Sequence, residues 1–129
     1  MKEYMFFIRK RSISQETLSP ERHQEFLKAC ERYIGKLKQE GKLLSAQPIE
    51  WKGSIVSGNG GSWSHAPYDE STEVIGGYYH ILAATLDEAM AIARDNPEFQ
   101  YNPHTRIEVR PIKMKEETTG FVYPKGAKG

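Results

Sequence analysis

The residues best suited to catalysis lie in two short segments, one in the middle of the chain and one near its end. His80 stands inside an apolar run, and Glu108 and Arg110 occupy alternate positions of the segment RIEVRP. A histidine near a carboxylate can act as general base, and an arginine can hold a substrate carboxylate or enolate. We therefore predict that His80, Glu108 and Arg110 are catalytic. In the alternative interpretation, Glu108 and Arg110 form an ion pair and His80 is a hydrogen-bonded core residue.

A polar, turn-rich loop, HAPYDEST, leads into the strand that carries His80. In this loop His65 and Asp69 are candidates to contact a ligand at the mouth of a cleft. Tyr68 of the loop and Tyr78 of the strand complete the predicted ligand-binding set. A glycine pair just inside the strand would allow the loop to close as a lid. The alternative is a simple solvent-exposed turn.

The remaining sequence carries no pattern typical of a metal or cofactor site. Four histidines are scattered without metal-ligand spacing, and the single cysteine, Cys30, excludes an internal disulfide. The glycine run GNGGS lacks the Lys-Ser/Thr pair of a phosphate-binding loop, and no dinucleotide-type glycine pattern occurs. We predict neither a metal nor a cofactor.

The composition is typical of one small soluble domain. The 129 residues are 38% hydrophobic and 27% charged, and the net charge is +1. This charge creates no long-range field for nucleic acid or an anionic membrane, and no apolar run approaches the roughly 20 residues of a membrane span. The N-terminal apolar run is too short for a signal peptide. We expect a cytoplasmic protein whose partners include neither nucleic acid nor membrane.

Apolar periodicity predicts the elements that must position these side chains. Ser19 and Thr85 have the residue type and position of helix N-caps, and Asn96-Pro97 ends the second helix. The predicted domain covers residues 1–114, followed by a loosely held tail, 115–129, whose aromatic segment is a candidate to dock on a partner subunit. The predicted elements are strands at 4–9, 43–49, 54–57, 75–84 and 106–114, and helices at 20–40 and 86–93.

The order β-α-β-β-α-β, with an extra short hairpin, predicts an α+β fold of ferredoxin-like type. Both helices would then cover one face of the sheet. Alternation along the third long strand predicts large side chains on both faces, with Ile75, Tyr79, Ile81 and Ala83 on one side and Tyr78, His80, Leu82 and Ala84 on the other. An apolar face of that size is unusual on a monomer. We therefore predict a homodimer in which the two open faces pack together and enclose a cleft.

With these elements placed, the segment HAPYDESTEVIGGYYHI resembles the motif of the YCII-related proteins, in their DGPF subgroup. The resemblance extends from Met1 to about Lys113 and implies a dimeric α+β barrel of ferredoxin-like subunits. The matching positions are Pro67 and Tyr68 at the motif's Pro-Phe, Glu70 and Glu73 at its two acidic positions, Gly77-Tyr78-Tyr79 at its strand, and the closing segment IEVRPI at 107–112.

The resemblance also implies a catalytic pair that this chain does not match. The YciI branch is thought to use a histidine on the first helix and an aspartate just before a proline after the second. Cys30 and Asn96 occupy those positions here. His23 and Asp95 lie nearby in sequence, but His23 is two helical turns from the required position. In addition, His65 replaces the aspartate of the motif.

Two functions remain open from the sequence. The first is binding of a small molecule in the dimer cleft, with the lyase or isomerase acid–base chemistry that related barrels imply. The second is a non-catalytic, transcription-associated regulatory or interaction module, favoured by the missing catalytic pair and the aromatic tail segment 121–123. RNA-recognition modules share the element order, but the sheet lacks their aromatic octamer, and we reject that function.

Overall fold

The computed structural model describes residues 1–11, 18–67 and 73–126. Within these ranges it contains six strands, two long helices and one short helix. In chain order they are β1 (Lys2–Arg11), α1 (Pro20–Gln39), β2 (Leu43–Pro48), β3 (Ile55–Gly58), β4 (Trp63–Ala66), β5 (Glu73–Ala83), α2 (Leu86–Arg94), α3 (Glu98–Tyr101) and β6 (Arg106–Pro111).

Four strands form one antiparallel sheet in the order β2-β5-β1-β6, and β3 and β4 form a separate hairpin. The predicted mixed α+β class is confirmed. The strand predicted at 54–57 appears as β3, and its hydrogen-bonded partner is β4. The turn between them is stabilised by Asn59, whose side-chain oxygen accepts from the backbone N–H groups of Gly61 and Ser62.

Both long helices contribute to a core on one face of the sheet. Phe6 and Ile81 at its centre are fully buried, and Leu37 of α1 and Ala89 of α2 pack in the same cluster. Both predicted helix starts are confirmed, since the Ser19 and Thr85 side chains accept from backbone N–H groups three residues later, each at 3.1 Å. The apolar face of α2 is only partly buried because Leu86 and Met90 of that helix are exposed.

A β-bulge corrects one predicted side-chain orientation in β5. Ile8 pairs with Gly77, but the next residue of β1, Arg9, pairs with Ile75, which leaves Gly76 as the extra residue. The bulge moves Ile75 from the face of Tyr79 to the face of Tyr78. Ile75 is accordingly 47% exposed, whereas the prediction from uninterrupted alternation placed it with the core residues.

The segments at the C-terminal end also differ from the prediction. The loop after α2 contains α3, and β6 ends at Pro111. The tail folds back on itself, with a bridge between Lys115 and Val122 and a hydrogen bond from the Tyr123 N–H to the Met114 carbonyl (2.8 Å). Among the described residues, no helix is long and apolar enough to cross a membrane.

Candidate functional site

The sheet face that points away from both helices, called the open face below, brings most of the predicted site residues onto one surface. Cross-strand pairing places Met5 between His80 and Arg110, and Phe7 between Tyr78 and Glu108. The open face includes Glu3, Met5, Phe7 and Arg9 of β1, Ile75, Tyr78 and His80 of β5, and Arg106, Glu108 and Arg110 of β6.

His80 is held on this face by a carboxylate that the sequence analysis did not select. Its Nε2 lies 2.6 Å from Oε1 of Glu3, and the two side chains are only 16% and 18% exposed. Lys125, from the folded-back tail, approaches the same Glu3 oxygen at 3.3 Å. The tail and the first strand therefore both contribute charge to the surroundings of His80.

This geometry defines which nitrogen of His80 is available for chemistry. An ionised carboxylate only accepts hydrogen bonds, so Nε2 of His80 donates to Glu3. In the neutral ring Nδ1 then has a free lone pair and can take up a proton. A histidine oriented by a carboxylate through its other nitrogen is the arrangement of a general base.

Glu108 and Arg110 share the open face with His80 but do not meet it. The strand β1 lies between them, so that the backbones of His80 and Arg110 are roughly 10 Å apart. Glu108 instead contacts Arg110 (3.7 Å) and Arg9 (3.5 Å). The three residues predicted as a catalytic set thus form two separate groups, and the ion pair between Glu108 and Arg110 matches the alternative interpretation.

Of the predicted ligand-binding residues, the two that the structure describes lie in different sheets. The Tyr78 hydroxyl lies 3.1 Å from the Ser45 hydroxyl of β2, so its polar end is turned towards the sheet edge. His65 lies on β4 of the exposed hairpin, paired with Val56. Tyr68 and Asp69 lie outside the described residues.

An apolar cavity of about 840 Å³ adjoins this surface. Its floor includes Met5, Phe7, Ile75 and Tyr78 of the open face, and residues of the segment between β2 and β3 form another part of its lining. Met5 is also the cross-strand neighbour of His80. Glu3 and His80 are not in the lining of this cavity, so Met5 is the residue that connects the cavity with the pair.

A second, polar cavity of about 710 Å³ lies near the far end of the same strands. Glu73 in its lining accepts two hydrogen bonds from Arg106, through Nε and Nη2, each at 2.9 Å. Arg9 approaches the same carboxylate at 2.6 Å. Hydrogen bonding by Arg106, supported by these positive charges, holds the pKa of the Glu73 carboxyl below its usual value.

A third cavity, of about 320 Å³, lies between α1 and the sheet, on the side where the resemblance implies a catalytic pair. Cys30 lines it, and burial, followed by the nearby charge of Glu98, raises the pKa of this thiol to about 11. Glu98 is itself paired with Lys10 at 3.1 Å. Asn96 is buried, and its side-chain oxygen accepts from the Glu98 N–H at 2.9 Å. These surroundings disfavour the thiolate of Cys30, and the Asn96 side chain is hydrogen-bonded to the backbone of Glu98.

His23 and Asp95, which lie near those positions in the sequence, do not come together. His23 lines the cavity of about 320 Å³, whereas Asp95 is the C-cap of α2 and lines a different cavity. In the described part of the chain, no three His, Cys, Asp or Glu side chains are grouped as metal ligands.

One signal in the sequence could have identified Glu3. Alternation along β1 places it on the same face as Met5 and Phe7, as a charged residue at the end of an otherwise apolar face. What the sequence did not indicate is the partner, because Glu3 and His80 are 77 residues apart in the chain.

The family of the chain follows from comparison with known proteins. Residues 3–113 match the model of the YCII-related domain, and the chain belongs to this family. Comparison with curated proteins gave no match. Within this family the chain combines Cys30 and Asn96 on the helix side with a Glu3–His80 pair on the open face.

Proposed function

We propose that this YCII-related protein binds a small molecule on the open face and that His80 acts on it as a general base. The observation that carries the proposal is the 2.6 Å contact between His80 and Glu3, on the same sheet face as an apolar cavity of about 840 Å³ that is lined by Met5, the cross-strand neighbour of His80. A cavity of that size matches the range of small-molecule sites, which are mostly apolar with a few polar groups.

The reaction class that fits this arrangement is proton transfer at a carbon next to a carbonyl, as in isomerases and lyases. Nδ1 of His80 takes the proton from that carbon and can return it to the same or a neighbouring atom. Glu3 stabilises the imidazolium that forms in between. Glu108 and Arg110 neutralise one another and are assigned no step.

We also propose that the site is completed by a second copy of the chain, in a dimeric α+β barrel of ferredoxin-like subunits. The strand order β2-β5-β1-β6, with both long helices on one face, supports this arrangement. The open face and the β3–β4 hairpin support it further, since both expose large apolar side chains that a monomer rarely leaves uncovered. These are Ile75 on the open face and Ile55, Val56 and Trp63 on the hairpin. The Gly77-Tyr78-Tyr79 strand and the IEVRPI segment support assignment to the DGPF subgroup.

The proposal is tested by screening small carbonyl compounds for those that raise the melting temperature, and then following their C–H exchange in D2O by NMR. We expect a stabilising compound to exchange a proton next to its carbonyl. His80→Asn should slow this exchange roughly 100-fold, the scale of general-base catalysis, and Glu3→Gln roughly tenfold. His23→Asn, on α1, is the matched control and should leave the rate unchanged. Equal rates in wild type and His80→Asn would contradict the proposal.

The regulatory alternative is favoured by a different observation. In the tail, the aromatic ring of Phe121 is 61% exposed and stacks edge-on against Tyr123, so an apolar tip projects from the folded-back segment. A protein partner would be expected to cover that tip. Failure of every carbonyl compound to bind, together with loss of a purified partner's binding in Phe121→Ser, would favour this function instead.

A further inference from the structure

The turn of the β3–β4 hairpin holds an Asn-Gly pair at an exposed position. Asn59 and Gly60 follow Gly58, which pairs with Trp63 at the end of the hairpin, and both residues are exposed. Gly60 has a φ of +90°, and a Cβ atom built on it would meet no atom of the described chain within 4 Å, apart from those of its two neighbours in sequence. The peptide link between Asn59 and Gly60 is therefore open to water and hydroxide.

The backbone nitrogen of Gly60 is the nucleophile that follows the Asn59 carboxamide directly in the chain. Among the described residues no acceptor binds its N–H group, whereas the N–H of Asn59 donates to the Ser62 carbonyl at 3.3 Å. A nucleophile of this kind becomes active when a base removes its proton. Since no hydrogen bond within the described chain holds that proton, hydroxide can remove it without opening the turn.

The side chain of Asn59 is held with its carbonyl oxygen against two donors. Oδ1 accepts from the backbone N–H groups of Gly61 and Ser62, each at 3.3 Å. A nucleophile that adds to Cγ places negative charge on this oxygen, and backbone N–H groups aimed at the oxygen stabilise that charge. The turn therefore orients the carboxamide towards the following residues and also activates its carbon.

The other two asparagines of the chain lack these features. Each is followed by a proline, whose ring nitrogen carries no hydrogen to lose. Asn96 is also buried, at 3% exposure, and the side-chain nitrogen of Asn102 donates to Glu98 at 2.8 Å. Of the three asparagines, Asn59 alone can be attacked by the backbone nitrogen of the next residue.

We propose that Asn59 is a site of spontaneous modification, at which it deamidates through a cyclic imide. The deprotonated Gly60 nitrogen bonds to Cγ of Asn59, the bond from Cγ to Nδ2 breaks, and Nδ2 leaves as ammonia after taking a proton from water. Water then adds to one of the two imide carbonyls and opens the ring. Breakage of the bond between the Gly60 nitrogen and Cγ gives aspartate, and breakage of the bond between that nitrogen and the main-chain carbonyl carbon gives isoaspartate.

The modification changes both the charge and the length of the turn. Either product adds a carboxylate and so lowers the formal net charge from +1 to 0 at neutral pH. Isoaspartate also routes the main chain through Cβ and Cγ, which lengthens the connection between Gly58 and Trp63 by one carbon atom. This chemistry is independent of the proposed small-molecule site, since none of residues 59–62 lines the apolar cavity.

The test is mass spectrometry of the full chain during incubation in alkaline buffer made with oxygen-labelled water. We expect the peptide that contains Asn59 to take up one labelled oxygen and to yield both aspartate and isoaspartate, while the peptides of Asn96 and Asn102 stay unchanged. The folded chain should react at a rate within about tenfold of the chain unfolded in guanidinium chloride, because the turn leaves the reacting atoms open. A slower reaction of the folded chain, or formation of aspartate alone, would overturn the inference.

Two glycine variants locate the attacking nitrogen. Gly60→Ala places a methyl group beside that nitrogen, at a φ that other residues rarely adopt, and should slow deamidation at least about tenfold. Gly61→Ala, the same change one residue further along the turn, is the matched control and should leave the rate within about threefold of wild type. In guanidinium chloride, where the turn is absent, Gly60→Ala should remain the slower variant. Equal rates in the two variants under both conditions would contradict attack by the Gly60 nitrogen.

Discussion

At the scale of single residues, the main contrast is between His80 and Cys30. His80 reaches a carboxylate at 2.6 Å on a face that no described helix covers, and its side chain is 16% exposed. Cys30 is half-buried beside the negative charge of Glu98, and both effects disfavour the thiolate. Cys30, at the position of the histidine that the resemblance implies, is therefore a poor nucleophile. His80, whose ring is oriented by a carboxylate, lies on the opposite face of the sheet.

We expect Cys30 to react slowly with iodoacetamide. Its pKa of about 11, against 9.0 for an ordinary thiol, reduces the thiolate fraction at pH 8 about a hundredfold. Because the pKa is raised, the rate should keep increasing up to about pH 11, whereas that of a free thiol levels off near pH 9. Stopped alkylation at a series of pH values, quantified by mass spectrometry, measures this profile.

A matched pair of variants tests the cause of the slow reaction. Glu98→Gln removes the nearby negative charge and should increase the alkylation rate at pH 8. Glu21→Gln, the same change in the exposed first turn of α1, should not. A wild-type profile that levels off near pH 9 would show that Cys30 is not perturbed.

At the scale of elements, β5 determines which side chains reach the open face. The bulge at Gly76 reverses the alternation, so that Ile75 joins Tyr78 and His80. The next residue, Gly77, lies directly against β2. A Cβ atom at Gly77 would be 3.1 Å from the Gln47 carbonyl oxygen and 3.4 Å from Pro48 Cα, both backbone atoms that cannot move separately from the strand.

Gly77→Ala is therefore expected to lower the free energy of unfolding by about 1–3 kcal/mol, the usual cost of overpacking. Gly76→Ala is the matched control. Its Cβ would meet only the flexible side chain of Lys10, at 3.1 Å, and that chain can shift. We expect Gly76→Ala to lower the free energy of unfolding by less than half as much as Gly77→Ala, as measured by urea unfolding. Equal losses for the two variants would show that the close approach of β2 does not control this position.

At the scale of the whole molecule, the two sheet faces differ in how they are covered. Both long helices bury the face of Phe6 and Ile81, whereas the open face carries Ile75 at 47% exposure. The β3–β4 hairpin exposes Val56 and Trp63 as well. A two-stranded hairpin is marginally stable by itself, so contact with a second subunit would stabilise both features.

The proposed homodimer leads to a direct measurement. Light scattering after gel filtration should give twice the 14.7 kDa of one chain. Ile75→Glu should convert the dimer into a monomer, because it would bury a carboxylate in the interface. Leu27→Glu, on α1 and also 47% exposed, should leave the dimer intact. A dimer in both variants would exclude the open face as the interface, provided that circular dichroism shows both variants folded.

Much of the architecture was predictable because it depends on local patterns. The N-caps Ser19 and Thr85, the apolar periodicity of α1 and the alternation of β1 are short-range features, and the structure contains the corresponding elements. The correction at Ile75 comes from a contact between segments, since the bulge at Gly76 arises in the pairing of β5 with β1.

The sequence by itself determined the α+β class, the family and the presence of polar residues on one face of the sheet. It also identified His80 as the unusual residue of an apolar strand. Only the tertiary structure decided which residues meet. Strand β1 separates His80 from Glu108 and Arg110, while the antiparallel pairing of β1 with β5 brings Glu3 to His80 across 77 residues of chain. Residue type and alternation determine which face a side chain occupies, but strand order determines its neighbours.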